Sequence, residues 1–271
     1  MRVKKFLSQI YMTLIFIFMY APIVTLIVFS FNENKGRRWS GFSLKWYQEM
    51  FQSEMIMSAL WNTILIAFIS AALATLLGVI ACIGINSLKG KARNAYLAIN
   101  NIPMLNSELV TGLAMMLLFI VFGIRFGYTT IIIAHTTFCI PYVVLSVLPK
   151  LRQTDQRVYE AALDLGAKPV YAFFKVVLPD LMPGIVSGYL LAFTMSLDDF
   201  IITHFTKGTG INTLSTLIYS EVRKGIKPSM NALSTILFFS VLLLLCLGTY
   251  GPKWKNRARK SEKTGGKRAR A

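Results

Sequence analysis

Three carboxylates lie inside long apolar runs of this 271-residue chain: Glu108 and the adjacent pair Asp198 and Asp199. An ionised carboxylate near the centre of a bilayer costs about 2.5–3.5 kcal/mol on insertion scales, so each needs a partner. That partner is either a cation moving along a polar path or a basic or polar group of a neighbouring chain; the residues alone leave both open. Adjacent residues on a helix point about 100° apart. Asp198 and Asp199 therefore share a cavity only if the helix is broken there; otherwise one of them is structural. Tyr189, Phe193 and Phe200 lie nearby along the chain and can add cation–π contacts of about 0.5–2 kcal/mol each, although such rings more often pack or face lipid. His135 and His204 stand alone in apolar surroundings and read as interhelical hydrogen-bond partners. Cys82, Cys139 and Cys246 are scattered singly, without the clustering of a zinc site or disulfide framework. No G-x-x-x-x-G-K-[ST] phosphate loop and no nucleophile–base motif occurs, so the chain does not read as an enzyme.

The elements that must position these groups are membrane helices. With 55% apolar and 15% charged residues, the chain has too little polar surface to cover a soluble globule. Crossing a ~30 Å hydrocarbon core takes roughly 20 apolar residues. Six stretches meet or approach that length: 10–31, 60–86, 97–123, 128–149, 182–206 and 231–250. The expectation is an all-α integral membrane fold with six transmembrane helices. Of the 29 basic residues, 20 fall in segments 1–9, 87–96, 150–181 and 251–271, which places both termini in the cytoplasm by the positive-inside rule. Arg2, Lys4 and Lys5 precede an apolar run too long for a signal peptide, so the first span is read as retained. Pro22, Pro103 and Pro141 remove backbone donors that lipid cannot replace, predicting kinks against protein neighbours. The outer segment 32–59 carries Trp39, Phe42, Trp46, Tyr47 and Phe51 among charges, the composition of an interfacial helix. A short amphipathic helix is predicted over Leu214–Val222. The basic tail 251–271 has too few apolar residues to fold alone, and reads as a flank for anionic lipid rather than a nucleic-acid binder.

One inner segment, 150–181, is neither linker nor span. Asp155 can cap a helix that runs to Gly166, where a glycine can take the left-handed conformation that ends it. Pro169 then opens a second helix in which Val170, Phe173, Phe174 and Val177 recur at helical spacing. Leu178 and Pro179 are expected to stop that helix. The small Ala161 and Ala162 permit close approach by another backbone; a docking element and an ordinary connector in the headgroup region both fit these features.

The run Glu160-Ala161-Ala162, three residues, Gly166, nine residues, then Val176-Val177-Leu178-Pro179 resembles the EAA-x3-G-x9-I-x-LP loop of the permeases of ATP-binding-cassette (ABC) importers, the MetI-like family. Val176 for Ile is the one departure. The resemblance implies a MetI-like ABC importer permease fold, with a family domain over 60–250 and the coupling loop at 150–181. It implies that Glu160, Ala161, Ala162 and Gly166 contact a cytoplasmic ATPase. Trp39-Ser40-Gly41-Phe42-Ser43-Leu44-Lys45-Trp46-Tyr47, Leu197-Asp198-Asp199-Phe200 and Pro228-Ser229-Met230-Asn231-Ala232-Leu233-Ser234-Thr235 are similar to the polyamine (spermidine/putrescine) permeases of that family. The implied partners are a second homologous permease, two ABC ATPases that bind ATP and Mg, a periplasmic polyamine-binding protein and membrane lipid, in a bacterial inner membrane; no cofactor is expected in this chain itself. Under this resemblance Asp198 or Asp199, with Glu108, lines a path for a polyamine. A permease for another small cationic or amino-acid-like solute, an ion-coupled secondary transporter using the acids as proton sites, and a membrane scaffold are the rival expectations.

Overall fold

A backbone in lipid must satisfy its own N–H and C=O groups, so each apolar stretch folds as helix. The computed structural model describes residues 2–35, 38–224 and 228–243. In chain order the helices are α1 (Arg2–Ser30), α2 (Lys45–Gln52), α3 (Glu54–Ser87), α4 (Gly90–Leu105), α5 (Glu108–Val121), α6 (Tyr128–Gln153), α7 (Gln156–Asp164), α8 (Pro169–Ala172), α9 (Leu178–Asp198), α10 (Ile201–Thr206) and α11 (Leu214–Lys224), then α12 (Pro228–Leu243). Four are long and apolar enough to cross a membrane: α1 from Gln9, α3, α6 and the continuous run Pro169–Asp198. The predicted third span is instead a pair, α4 and α5, bent by 104°. The sixth begins as α12; residues 244–250, Cys246 and the basic tail 251–271 lie outside the described residues.

The described residues divide into two compact units, those within 2–58 and 217–242, and those within 59–216. In the first, the apolar window of α1 buries none of its residues, and Leu14, Phe16, Phe18 and Met19 are exposed. A helix apolar on every face is suited to lipid or to another helix. Pro22 is exposed within an unbroken α1, so among the described residues no neighbour packs against it as its expected kink required; Pro141 is buried in α6. After α1 the chain turns back on itself: Asn32 bridges Phe42, and its side chain accepts from Ser40 N at 2.8 Å and donates to Arg38 O at 2.9 Å. Trp46 donates its indole N–H to Asn32 O, and Phe31 stacks on Phe42 at 5.3 Å. These contacts explain the Trp39–Tyr47 composition as a folded turn leading into α2.

The second unit is built around α6. Its buried Ala134, Phe138, Cys139, Val143, Val144 and Val147 form a core with Ala71, Ala74 and Cys82 of α3 and Ala192 of α9. Small residues let the helix backbones approach. A Cβ added at Gly78 would lie 2.7 Å from Val143 Cγ1, and one at Gly188 3.3 Å from the same methyl. Val143 thus fills the space left by a glycine on α3 and another on α9.

One sequence expectation fails here. Leu178 and Pro179 do not end the helix that Pro169 opens; they continue it. Phe173–Val177 adopts a π-helical turn in which Leu178 N donates to Phe173 O, and Pro179 sits in the first turn of α9. A proline normally clashes with the carbonyl four residues back and leaves it without its donor. Widening the preceding turn moves the hydrogen-bond register by one residue and lets the ring fit.

Candidate functional site

The two discontinuities in the second unit govern where the acids lie. At the first, Asn106 and Ser107 separate α4 from α5, and Ser107 Oγ accepts from Val110 N at 3.3 Å as an N-cap. Glu108 then occupies the first turn of α5, where a carboxylate suits the positive end of the helix dipole, and its side chain is exposed. At the second, the chain leaves α9 at Asp199, which is extended (φ −60°, ψ 128°), and resumes as α10 at Ile201. Ser215 Oγ donates to the freed Asp198 carbonyl at 3.2 Å. Half-helices meeting at a break within a span are the arrangement that transporters use to present polar groups at membrane depth.

The break sends the two adjacent carboxylates in different directions. Asp198 is exposed at the C-terminal end of α9, as Glu108 is at the start of α5. Asp199 is buried and fully engaged: its carboxylate accepts from Ile202 N at 3.3 Å, Thr203 N at 2.8 Å and Thr203 Oγ1 at 2.8 Å, and pairs with His135 Nε2 at 3.3 Å. His135 is 1% exposed. Its Nδ1 meets Ser196 Oγ at 2.6 Å and its Nε2 meets Thr203 Oγ1 at 2.9 Å, so it is the interhelical partner its surroundings predicted. His204 differs: it is exposed, with ring contacts to Phe200 at 5.3 Å and Phe205 at 5.7 Å.

Of the three predicted rings, Tyr189 and Phe193 stack on each other at 6.3 Å, and Phe68 of α3 meets Tyr189 edge-on at 6.2 Å. Phe200 lies in the break beside His204 instead. Close packing of α5 on α10 sets the spacing of the two breaks, since a Cβ at Gly112 would lie 3.1 Å from Phe205 Cδ2 and 3.4 Å from Ile202 Cα. Beyond α10, Lys207 donates to Asn212 Oδ1 at 2.9 Å, and burial holds its ammonium pKa below the ordinary lysine value.

The inner elbow has the local structure its residues predict. Asp155 accepts from Arg157 N at 3.0 Å as N-cap of α7. At the other end Gly166 takes φ +84°, with Gly166 N donating to Leu163 O at 2.9 Å and Ala167 N to Ala162 O at 3.1 Å. This crossed pair is the Schellman motif. Pro169 is the first residue of α8. Glu160, Ala161 and Gly166 are exposed and Ala162 is half-buried. Around them Val158, Leu165, Val170, Tyr171 and Phe174 are all more than half exposed, Leu165 to 89%. At the root of the elbow, Thr154 Oγ1 donates to Asp180 Oδ2 at 2.6 Å, and Lys150 pairs with Asp180 at 3.4 Å.

Residues 73–251 match the family described as the binding-protein-dependent transport system inner membrane component. The chain belongs to this family. The permease is a multi-pass inner-membrane transport subunit, and both the elbow and the two helix breaks fall inside the matched region. It is 36% identical over 245 residues to the spermidine/putrescine transport system permease protein PotC of Haemophilus influenzae, covering 90% of this chain and 95% of that one. It is 39% identical over 234 residues to the putrescine transport system permease protein PotI of Escherichia coli, covering 83% of each. A permease chain of the bacterial alginate ABC transporter, solved in complex with alginate pentasaccharide-bound periplasmic protein, superposes with a TM-score of 0.69 over 95% of this chain and 96% of that one. At 17% identity this last likeness shows the fold alone, that of the ABC importer permeases.

Proposed function

We propose that the permease forms half of the transmembrane path for polyamines in an ABC importer, with the Asp198 and Glu108 carboxylates receiving the ammonium groups. The observation that carries this reading is that two exposed acids stand at the two helix breaks of one unit, Glu108 in the first turn of α5 and Asp198 at the end of α9, where α5 packs closely on α10. A carboxylate at membrane depth is costly unless a cation joins it, and a chain bearing several ammonium groups supplies more than one. The rings of Tyr189, Phe193 and Phe68 offer apolar and cation–π contact to the methylene segments and charges between. The names of the relatives point the same way, towards spermidine and putrescine. Asp199 has a different role, because its oxygens are already occupied within the chain.

The exposed apolar side chains of the elbow are the surface to which an ATPase subunit docks, with Glu160, Ala161, Ala162 and Gly166 at the contact. ATP and Mg are bound by that partner. A second permease completes the path, a periplasmic binding protein delivers the substrate, and both termini face the cytoplasm. The test is uptake of labelled putrescine and spermidine by the assembled transporter carrying Asp198→Asn or Glu108→Gln. Losing one charge-assisted contact of about 1.5–3 kcal/mol raises the half-saturating concentration roughly 10- to 100-fold. Unchanged uptake in both variants and in their combination rejects the assignment of the path.

A further inference from the structure

We propose that His135 is a positioning residue for transport: through Asp199 it fixes the break between α9 and α10, and so fixes where Asp198 presents its carboxylate. The proposal rests on the reading of Asp198 as a cation-receiving group. Three of the four donors to the Asp199 carboxylate come from its own local turn, namely Ile202 N, Thr203 N and Thr203 Oγ1. They hold Asp199 to the start of α10 but not to any neighbouring helix. His135 of α6 supplies the remaining contact. The same imidazole reaches Ser196 of α9, one turn before the break, and Thr203 of α10, one turn after it. One buried ring on α6 therefore clasps both sides of the discontinuity. A second tie, Thr130 Oγ1 to Thr206 O at 2.8 Å, fastens the far end of α10 to α6. With that end fixed, the angle at Asp199 is set by the ring.

The hydrogen-bond arithmetic identifies which nitrogen matters. Thr203 has a single hydroxyl hydrogen, which goes to Asp199 Oδ2, and an ionised carboxylate has none to give. Nε2 therefore carries a hydrogen and donates toward Thr203 Oγ1 and Asp199. Nδ1 faces the Ser196 hydroxyl, which can donate or accept, so that contact is also satisfied. A side chain that restores only the Nε2 donor retains the link to Asp199 and Thr203, while one that restores only Nδ1 retains Ser196 alone. Glutamine places its amide near Nε2, and asparagine places its amide near Nδ1.

The test uses the complete transporter in proteoliposomes, with His135→Gln, His135→Asn, His135→Leu and Asp198→Asn compared for half-saturating spermidine, maximal rate and melting temperature. His135→Gln is expected to stay within about threefold of the native half-saturating concentration, while His135→Asn and His135→Leu raise it about tenfold or more, with a smaller effect on maximal rate. As a readout free of transport, the distance between spin labels on a cysteine pair introduced by Glu108→Cys and Asp198→Cys in a background lacking the native cysteines should keep its native distribution with His135→Gln and shift or broaden with His135→Asn. Parallel losses in all three His135 variants that follow their melting temperatures would overturn positioning in favour of a packing role. If Asp198→Asn impairs half-saturation while His135→Asn and His135→Leu do not, positioning fails and the path reading stands. If Asp198→Asn has no effect either, the path reading itself fails and this proposal falls with it.

Discussion

Replacing Gly166 by alanine isolates a purely conformational cost at the elbow. Gly166 sits at φ +84°, and an added Cβ would meet nothing within 4 Å. Crowding therefore contributes nothing, and the whole effect is that of holding an L-residue in the left-handed region, about 1–2 kcal/mol. The chain either carries that strain or opens the crossed pair of hydrogen bonds from Gly166 N and Ala167 N. In both cases the closed elbow loses weight against opened forms by a factor of about 5–30. Polyamine-stimulated ATP hydrolysis by the assembled transporter is the assay, because it reads communication through the elbow under the proposed docking of the ATPase there. Asparagine tolerates the left-handed region better than alanine, so activity should fall in the order Gly, Asn, Ala. If asparagine, the larger residue, proves as damaging as alanine or worse, close approach of the ATPase surface fixes the glycine and the conformational reasoning is refuted.

Gly78→Ala drives a methyl into Val143 at the crossing of α3 and α6, at a cost of about 1–3 kcal/mol; the melting temperature should drop, and adding Val143→Ala should recover much of the loss. Thr154→Val removes the 2.6 Å bond to Asp180 and leaves only the partly exposed Lys150–Asp180 pair. A double-mutant cycle with Asp180→Asn should give a coupling of about 0.5–1.5 kcal/mol in unfolding measurements.

What the sequence made legible was local. Asp155, Gly166 and Pro169 act on backbone groups within a few residues, so their types announced the cap, the left-handed turn and the helix start. The broken third span was missed because a hydropathy window averages across two residues. The signal was present all the same: Ser107 followed by Glu108 is a helix start in the middle of an apolar run. The different surroundings of Asp198 and Asp199 were out of reach, since His135, which pairs with the buried Asp199, lies on another helix and meets it only in the folded chain. Reading Pro179 as a stop treated proline as absolute, whereas the turn before it widened to accommodate the ring.

That widened turn makes one unjointed shaft of the stretch from Pro169 to Asp198. Thirty residues at 1.5 Å each form a rod of about 45 Å, so a tilt of only ~5° pivoted at one end sweeps the other through about 4 Å. The elbow lies at one end of this rod and the exposed Asp198 carboxylate at the other. A small tilt imposed at the elbow would thus reach Asp198 as a displacement as wide as an ammonium group.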